Sequence, residues 1–528
     1  MEYLIGIDYG TDSARAVLSD SFGHIIAAST GYYPRWAKGL FCDPSICKFR
    51  HHPLDYLEVL EQTLKDVVAA CPDPSKIRAI AMDSTCSTPC FVDENLVPLS
   101  LKPGYEDDPD AMFVVWKDHS MVREANEITA WCAKQPGHNY ASHCGLNYSA
   151  ECYWSKILDI VRRRPEIRRD GWTLLENCDF VPAVLTGTTD PGKMRYSHPG
   201  ASAKHMWAEE WGGFPPDEFF DALDPALTRI RHHMSEVNFY SDESAGHLCP
   251  EWARKLGLSE DVVVAAGNID SYAGAMAANV RKGTLAMNIG TTGCFMTEIP
   301  TGTVSVPGVF GQVPGGIHRG MDLLEVGLSA FGDMFAWYRR LLGWAGGDDI
   351  MARITAAAQA LPLDESIPVA TDNFNGRRSP KPNDALPASI MGLTINTTAP
   401  QLFRSLVEAA AYATRAVVEH LAGYGVIIDR FVAMGGVSQK SPFVMQTLAD
   451  VLRSPVSVVD CKDTCAMGDT LFAAVAGGVW PDLDTAASHM CPGILRVYEP
   501  AEGVESYYER RYAKYLSLSA FTESSQMS

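Results

Sequence analysis

The chain opens M-E-Y-L-I-G-I-D-Y-G-T-D-S-A-R-A-V-L-S-D (residues 1–20). Residues 3–7 are a short apolar run and predict a buried strand, and residues 14–18 predict a second. Gly10, Thr11, Asp12 and Ser13 lie between them. Glycine with small polar residues is hairpin chemistry. Asp8 stands where the first strand ends. A carboxylate on a first strand, followed by hydroxyls in the turn, can cradle phosphate. The turn N–H groups and the Thr11 and Ser13 hydroxyls would face the oxygens, and Asp8 would hold a metal ion through water. The same residues also suit an ordinary surface hairpin, because short motifs match by chance.

The pattern returns half a chain later. Residues 284–298 read T-L-A-M-N-I-G-T-T-G-C-F-M-T-E. A short strand again enters a Gly-Thr-Thr-Gly turn, and a second strand leaves it. A chain of 528 residues is too long for one core, so two large domains, or three, are expected. Two hairpins, each opening one half, predict a duplicated fold whose halves face a deep cleft. The expected division is 1–275 and 276–528.

Composition excludes several classes. Hydrophobic residues are 46% and charged residues 20%, ordinary for a globular protein. The formal net charge is −20, and the one basic triplet, Arg162, Arg163 and Arg164, precedes Pro165 as a helix end would. Nucleic acid is therefore not an expected partner. The 14 cysteines include no C-x-x-C pair, which argues against zinc and against a disulfide scaffold. No run of about 18 apolar residues occurs, so no membrane span is expected. With no leader pattern, a reducing cytoplasm is the expected setting.

Strands and helices alternate, which predicts an α/β fold. A third strand is expected at 24–29 and a helix at 55–70, where Leu57, Leu60, Leu64 and Val67 share one face. Further strands are expected at 77–82, 91–93, 262–266, 427–434 and 456–459. Helices are expected at 151–164, 176–185, 271–279, 331–342, 401–421 and 466–476. Residues 208–220 read as a Gly/Pro-broken loop, and the tail past Leu516 as frayed.

No G-x-x-x-x-G-K-S/T run and no G-x-G-x-x-G opening a helix is present, and the protein-kinase set is absent. With both hairpins placed, the chain resembles the FGGY carbohydrate kinases of the actin/hexokinase/sugar-kinase ATPase superfamily. The likeness runs over nearly the whole chain. It is carried by G-I-D-Y-G-T-D-S-A-R (6–15), Y-P-R-W-A-K-G (33–39), F-R-H-H-P (49–53), D-S-T-C-S-T-P (83–89) and A-M-F-V-V-W-K-D-H (111–119). It continues in W-G-G-F-P (211–215), L-C-P-E-W-A (248–253), S-A-F-G-D (329–333) and F-N-G-R-R (374–378).

The resemblance implies two ribonuclease H-like, actin-like ATPase domains, the first binding sugar and the second ATP. It implies ATP and Mg²⁺, with L-ribulose as the small-molecule substrate, phosphorylated at O5. Other FGGY substrates (xylulose, ribitol, D-ribulose) and a non-catalytic sensing role remain alternatives, and a homodimer is allowed. Asp270 matches the family's general base, although such an Asp also suits a helix cap. Asp8, Gly10, Thr11 and Ser13 match the first phosphate motif, with Arg15 behind it, and Gly290, Thr291 and Thr292 match the second. Gly435, Gly436 and Gln439 match the loop beneath the nucleotide, and Ala466 and Gly468 the adenosine motif. The next residue, usually small, is Asp469 here. Ser87, Thr88, Trp116, Asp118, Lys204 and Glu325 are the implied sugar contacts.

Overall fold

In the computed structural model, which describes residues 1–343 and 349–526, the chain forms two compact units. The first comprises Met1–Asn279, Gln312–Asp322 and Asp463–Cys491. The second comprises Val280–Gly311, Leu323–Lys462 and the segment from Pro492 onward. The break at Asn279 lies four residues past the division read from sequence, and the first unit also gathers two later segments.

The first unit is built on strands β1 (Tyr3–Tyr9), β2 (Ser13–Asp20), β3 (Ile25–Tyr32), β4 (Ile77–Ser84), β5 (Ser244–His247), β6 (Val263–Ala265) and β7 (Asn268–Ile269). Their order is β5–β6–β4–β1–β2–β3, with β7 also paired to β4. The hairpin β1–β2 closes at Tyr9↔Ala14, while β1, β6 and β7 all run parallel to β4. Every residue of β1 is buried, as a strand covered on both faces requires. Helix Pro53–Ala69 buries Tyr56, Leu60, Leu64 and Val67, and His52 caps it by accepting from Leu54 N at 3.1 Å. Helix Thr464–Ala476 lies so close to β1 that a Cβ on Gly6 would come within 1.9 Å of the Ala466 carbonyl oxygen. Only glycine permits that approach.

The second sheet repeats the device. Strands β8 (Thr284–Ile289), β9 (Gly293–Pro300), β10 (Gly311–Pro314), β11 (Met321–Leu328), β12 (Arg430–Met434), β13 (Val456–Val459) and β14 (Ile494–Tyr498) are ordered β10–β11–β9–β8–β12–β13–β14. The hairpin β8–β9 closes at Ile289↔Gly293, and β12 runs parallel to β8 on its other side. Helix Ala399–Gly423 buries Phe403, Leu406, Ala410 and Val417 and starts at a Thr398/Gln401 capping box.

Two expectations are corrected. Residues 208–220 are not all loop, because helix Asp217–Asp221 buries Phe219 and Phe220. The tail is not frayed over the described residues. Helix Glu505–Gln526 continues past Leu516, and Arg511 is buried against the Glu408 carboxylate at 3.1 Å. The helix holds because its aromatic face, Tyr507, Tyr508, Tyr512 and Tyr515, packs into the second core. Among the described residues no helix is long and apolar enough to cross a membrane.

Candidate active site

Three parallel strands of the first unit end side by side. Asp8 on β1 is in register with Asp83 on β4, and Asp83 with Asn268 on β7. In α/β sheets, ligands bind outside the carboxyl ends of such strands. Here β1 runs into the 10–13 turn, β4 into the 85–88 loop, and β7 into Asp270. Thr85 N donates to Tyr9 O at 3.1 Å, which ties the second of these to the first. Asp270 is the first residue of helix Asp270–Ala277, and the cap is Ile269. Its Oδ1 accepts from Ser271 N at 2.6 Å, and its partial exposure leaves the carboxylate accessible at the mouth of the strands.

The first hairpin turn is internally braced. Gly10 N donates to Ser13 O at 3.0 Å, and the Tyr33 hydroxyl donates to Gly10 O at 3.0 Å. Trp116 Nε1 donates to Thr11 Oγ1 at 2.9 Å. Ser13 is buried, so Gly10, Thr11 and Asp12 form the accessible part of the turn. Arg15 Nη1 lies 3.4 Å from Asp8 Oδ2, and its Nε 3.9 Å from Asp463. In the second unit, Gly290 N donates to Thr292 O at 3.0 Å, with Thr291 exposed. Phe331 N and Asp333 N both donate to Thr291 O, at 2.8 and 3.0 Å. Each unit thus presents a glycine-threonine turn at the end of its central strand.

The 85–88 loop is clamped by two buried charges absent from the sequence-based site. Thr88 N donates to Glu176 Oε1, and Glu176 Oε2 meets His205 Nε2. Lys156 Nζ donates to Ser87 O, and to Val115 O at 3.0 Å. Glu176 and Lys156 are both 0% exposed. Burial lowers the Lys156 ammonium to about 8, against the opposing pull of Asp118 and Glu176. Burial pushes the Cys86 thiol well up, Glu176 adds to this, and the nearby Lys204 charge opposes it. Lys204 ends helix His198–Lys204 and is itself buried. Its backbone oxygen accepts from the Tyr148 hydroxyl at 2.6 Å.

Not every sequence-assigned contact is free to meet a sugar. Thr88 Oγ1 donates to Thr85 O at 2.8 Å, whereas Ser87 Oγ is buried with no hydrogen-bond partner. Asp118 is corrected to a structural role. Its Oδ2 accepts from Phe49 N at 2.8 Å and from Arg50, and its Oδ1 from Ser120 N and Oγ at 3.0 and 2.6 Å. Burial raises its pKa, but Arg50 and Ser120 outweigh that and hold it below the usual range. Glu325 stands on β11 in the second unit, where Cys294 Sγ lies 3.5 Å from its Oε1.

The nucleotide candidates divide similarly. Gly435 takes φ +90° at the start of helix Gly436–Lys440, and a Cβ there would come within 2.6 Å of Asn288 Oδ1. The Gln439 amide donates to Val459 O at 2.7 Å, bracing the ends of β12 and β13. Ala466 and Gly468 are buried rather than open to a ligand. A Cβ on Gly468 would sit 1.8 Å from Ala273 O, so this glycine serves the packing of helix Thr464–Ala476 on helix Asp270–Ala277.

Asp469, the residue that departs from the family pattern, points into the first unit. It is 0% exposed and faces Asp83, also 0% exposed. Among the described residues, neither carboxyl has a hydrogen-bond donor from outside this cluster. Burial pushes Asp83 and Asp469 well above the usual carboxylate range; the charges of Asp469 and Asp8 add to this at Asp83, while at Asp469 the charge of Asp8 adds to it and hydrogen bonds from Asp83 oppose it. Asp8 is raised as well, by burial against the opposing Arg15. The ligand atoms of Asp8, Asp83 and Cys465 lie within 4.8 Å of one another. A donor set of orphaned carboxylate oxygens fits a hard divalent ion such as Mg²⁺. Sequence reading missed Asp83, Lys156 and Glu176. Only Asp469 carried a signal, its size where a small residue is usual.

The chain is similar to known proteins over nearly its whole length. The N-terminal domain model of the FGGY family of carbohydrate kinases matches residues 3–277, and the C-terminal domain model residues 285–477. The ribulokinase of Vibrio parahaemolyticus is 36% identical, over 99% of this chain and 96% of that protein. The ribulokinase of Halalkalibacterium halodurans is 32% identical, over 98% and 94%. Among solved structures, the xylulose kinase of Rhodospirillum rubrum superposes with a TM-score of 0.81 at 20% identity, over 99% of each chain. The gluconate kinase of Lactobacillus acidophilus superposes with 0.81 at 19% identity, over 100% of each. These structures share the fold.

Proposed function

The chain belongs to the FGGY family of carbohydrate kinases, and on that premise we propose that it transfers the γ-phosphoryl group of ATP to O5 of L-ribulose. The observation that carries the reading is the meeting of three elements at the ends of β1, β4 and β7. These are a glycine-threonine turn suited to phosphate, a clamped polar loop suited to a polyol, and the carboxylate of Asp270. The substrate follows the named relatives, ribulokinases that this chain matches along nearly their whole length.

Asp270 accepts the O5 proton as that oxygen attacks the γ-phosphorus. The bond from phosphorus to the β,γ-bridging oxygen breaks, and ADP leaves with the electron pair. Gly10 and Thr11 receive phosphate oxygens in the first unit, and Gly290, Thr291 and Thr292 present the same chemistry in the second. Lys204, beside the Cys86–Thr88 segment, donates to sugar hydroxyls. Glu325 is assigned a sugar contact by the family pattern alone. Asp8 would hold Mg²⁺ through water, and the ion, when bound, neutralises phosphate charge.

The test is ADP release on a panel of L-ribulose, D-ribulose, D-xylulose and ribitol. L-ribulose is expected to give the highest kcat/KM. Equal or better turnover on D-xylulose overturns the substrate assignment and leaves the kinase assignment standing.

A further inference from the structure

The Asp8–Asp83–Asp469 cluster has no use in the phosphoryl transfer just described beyond Asp8 itself. Asp8 and Asp83 are neighbours in register on adjacent parallel strands, so their side chains leave the same face of the sheet. Onto that face helix Thr464–Ala476 lays Cys465 and Asp469, four residues apart and therefore on one side of the helix. The contact is close, since a Cβ on Gly6 would stand 2.9 Å from Asp469 Cβ. Three carboxylates thus converge where like charges on neighbouring strands are destabilising.

Few neighbouring groups compensate them. Arg15 reaches Asp8 Oδ2 at 3.4 Å, but its side chain is 43% exposed. Asn268, the register neighbour of Asp83, turns its Oδ1 back onto Ile269 N at 2.8 Å, and its Nδ2 has no partner. Both oxygens of Asp83 and both of Asp469 are buried, and among the described residues no donor from outside the cluster reaches them. Buried carboxylates in this condition must bind a cation or keep protons.

We propose that Asp83 and Asp469, with Asp8 and the Cys465 thiol beside them, bind one divalent cation directly and without nucleotide. Oxygen-rich donors of high negative charge select Mg²⁺ or Mn²⁺ rather than a soft metal. This ion is distinct from the one a nucleotide carries, because its ligands Asp83 and Asp469 are fully buried. It knits β1 and β4 to a helix that arrives from late in the chain. It depends on Asp469, where the family resemblance implies a small residue, and not on which sugar is phosphorylated.

The probe is Mn²⁺ alone, titrated by electron paramagnetic resonance into the full chain, free of nucleotide and sugar. One ion per chain is expected, competed by Mg²⁺. Asp469→Asn and Asp469→Ala are each expected to weaken binding by at least about tenfold, as loss of a metal contact does. Mn²⁺ should raise the thermal midpoint of the unaltered chain and not that of Asp469→Ala. Absence of stoichiometric Mn²⁺, or binding that neither substitution changes, overturns the site and leaves the carboxyls as protonated acids. Asp83→Asn is the companion variant. If it does not fold, the Asp469 pair still decides the outcome. Failure here leaves the ADP-release assay untouched, so the two readings fall separately.

Discussion

The Trp116 indole donates its N–H to the Thr11 hydroxyl across 2.9 Å. Trp116 follows the 113–115 run anchored by Lys156, and Thr11 sits in the first hairpin turn. This one bond joins the segment beside the 85–88 loop to the turn proposed to receive phosphate. Trp116→Phe keeps the ring and removes the donor. A hydrogen bond of this kind contributes about 1 kcal/mol, so kcat/KM is expected to fall about fivefold. Initial rates with either substrate varied should show the loss on both, since the bond belongs to neither site alone.

Asp270→Asn should remove the proton acceptor while keeping the shape of the helix start. Phosphorylation is expected to drop by about 10² to 10⁴. Calorimetric titration with L-ribulose should give a dissociation constant within about threefold of the unaltered protein, because the amide still accepts and donates. Normal turnover in this variant would remove Asp270 from the chemistry.

Glu176 is a positioning residue. Its two oxygens hold Thr88 N and His205, so Glu176→Gln disturbs the loop without touching substrate. Leaving a buried partner imperfectly satisfied costs about 1–3 kcal/mol. The expected signature is a sugar KM raised about tenfold with the ATP KM and kcat little changed. A purely structural defect would lower the amount of active enzyme and leave both KM values in place.

Lys156 sets a pH dependence of stability. Its folded pKa is about 8, lowered by burial from the ordinary 10.5. Between those values the unfolded chain binds more protons than the folded one, so stability rises with pH across that window. Below about pH 8 the full cost of burying the ammonium is present, on the order of 3 kcal/mol. Denaturant midpoints from pH 7 to 10.5 should therefore rise for the native chain relative to Lys156→Met. Parallel curves for the two proteins would contradict this.

The two hairpins were legible because a glycine turn between apolar strands is a local pattern, and residues 1–20 and 284–298 each contain all of it. Asp270 stands as a candidate base only through the family resemblance, since a strand-end Asp before a helix is common. Lys156 and Glu176 were not legible. Each is defined by contacts 69 and 88 residues away, with Ser87 and Thr88, and nothing local distinguishes a buried Lys from a solvated one. Asp118 shows the reverse error. Its motif was recognised, but Arg50, 68 residues earlier, had already engaged its carboxylate. The frayed-tail expectation failed because residues past Leu516 look small and polar singly, while Leu518 and Thr522 are buried on the helix's packed face.

The seating of helix Thr464–Ala476 against Gly6 and Ala273 bears on how the protein is made. A ribosome delivers β1 first and this helix some 460 residues later, as the bond from Trp480 Nε1 to Ser21 O, spanning 459 residues, records. The opening sheet must wait, one face uncovered, until nearly the whole chain has emerged. Contacts of such separation fold slowly and expose apolar surface meanwhile. A nascent chain or fragment ending at Asn279 therefore contains the full opening sheet and still lacks its lid. Early termination yields an aggregation-prone intermediate rather than half an enzyme.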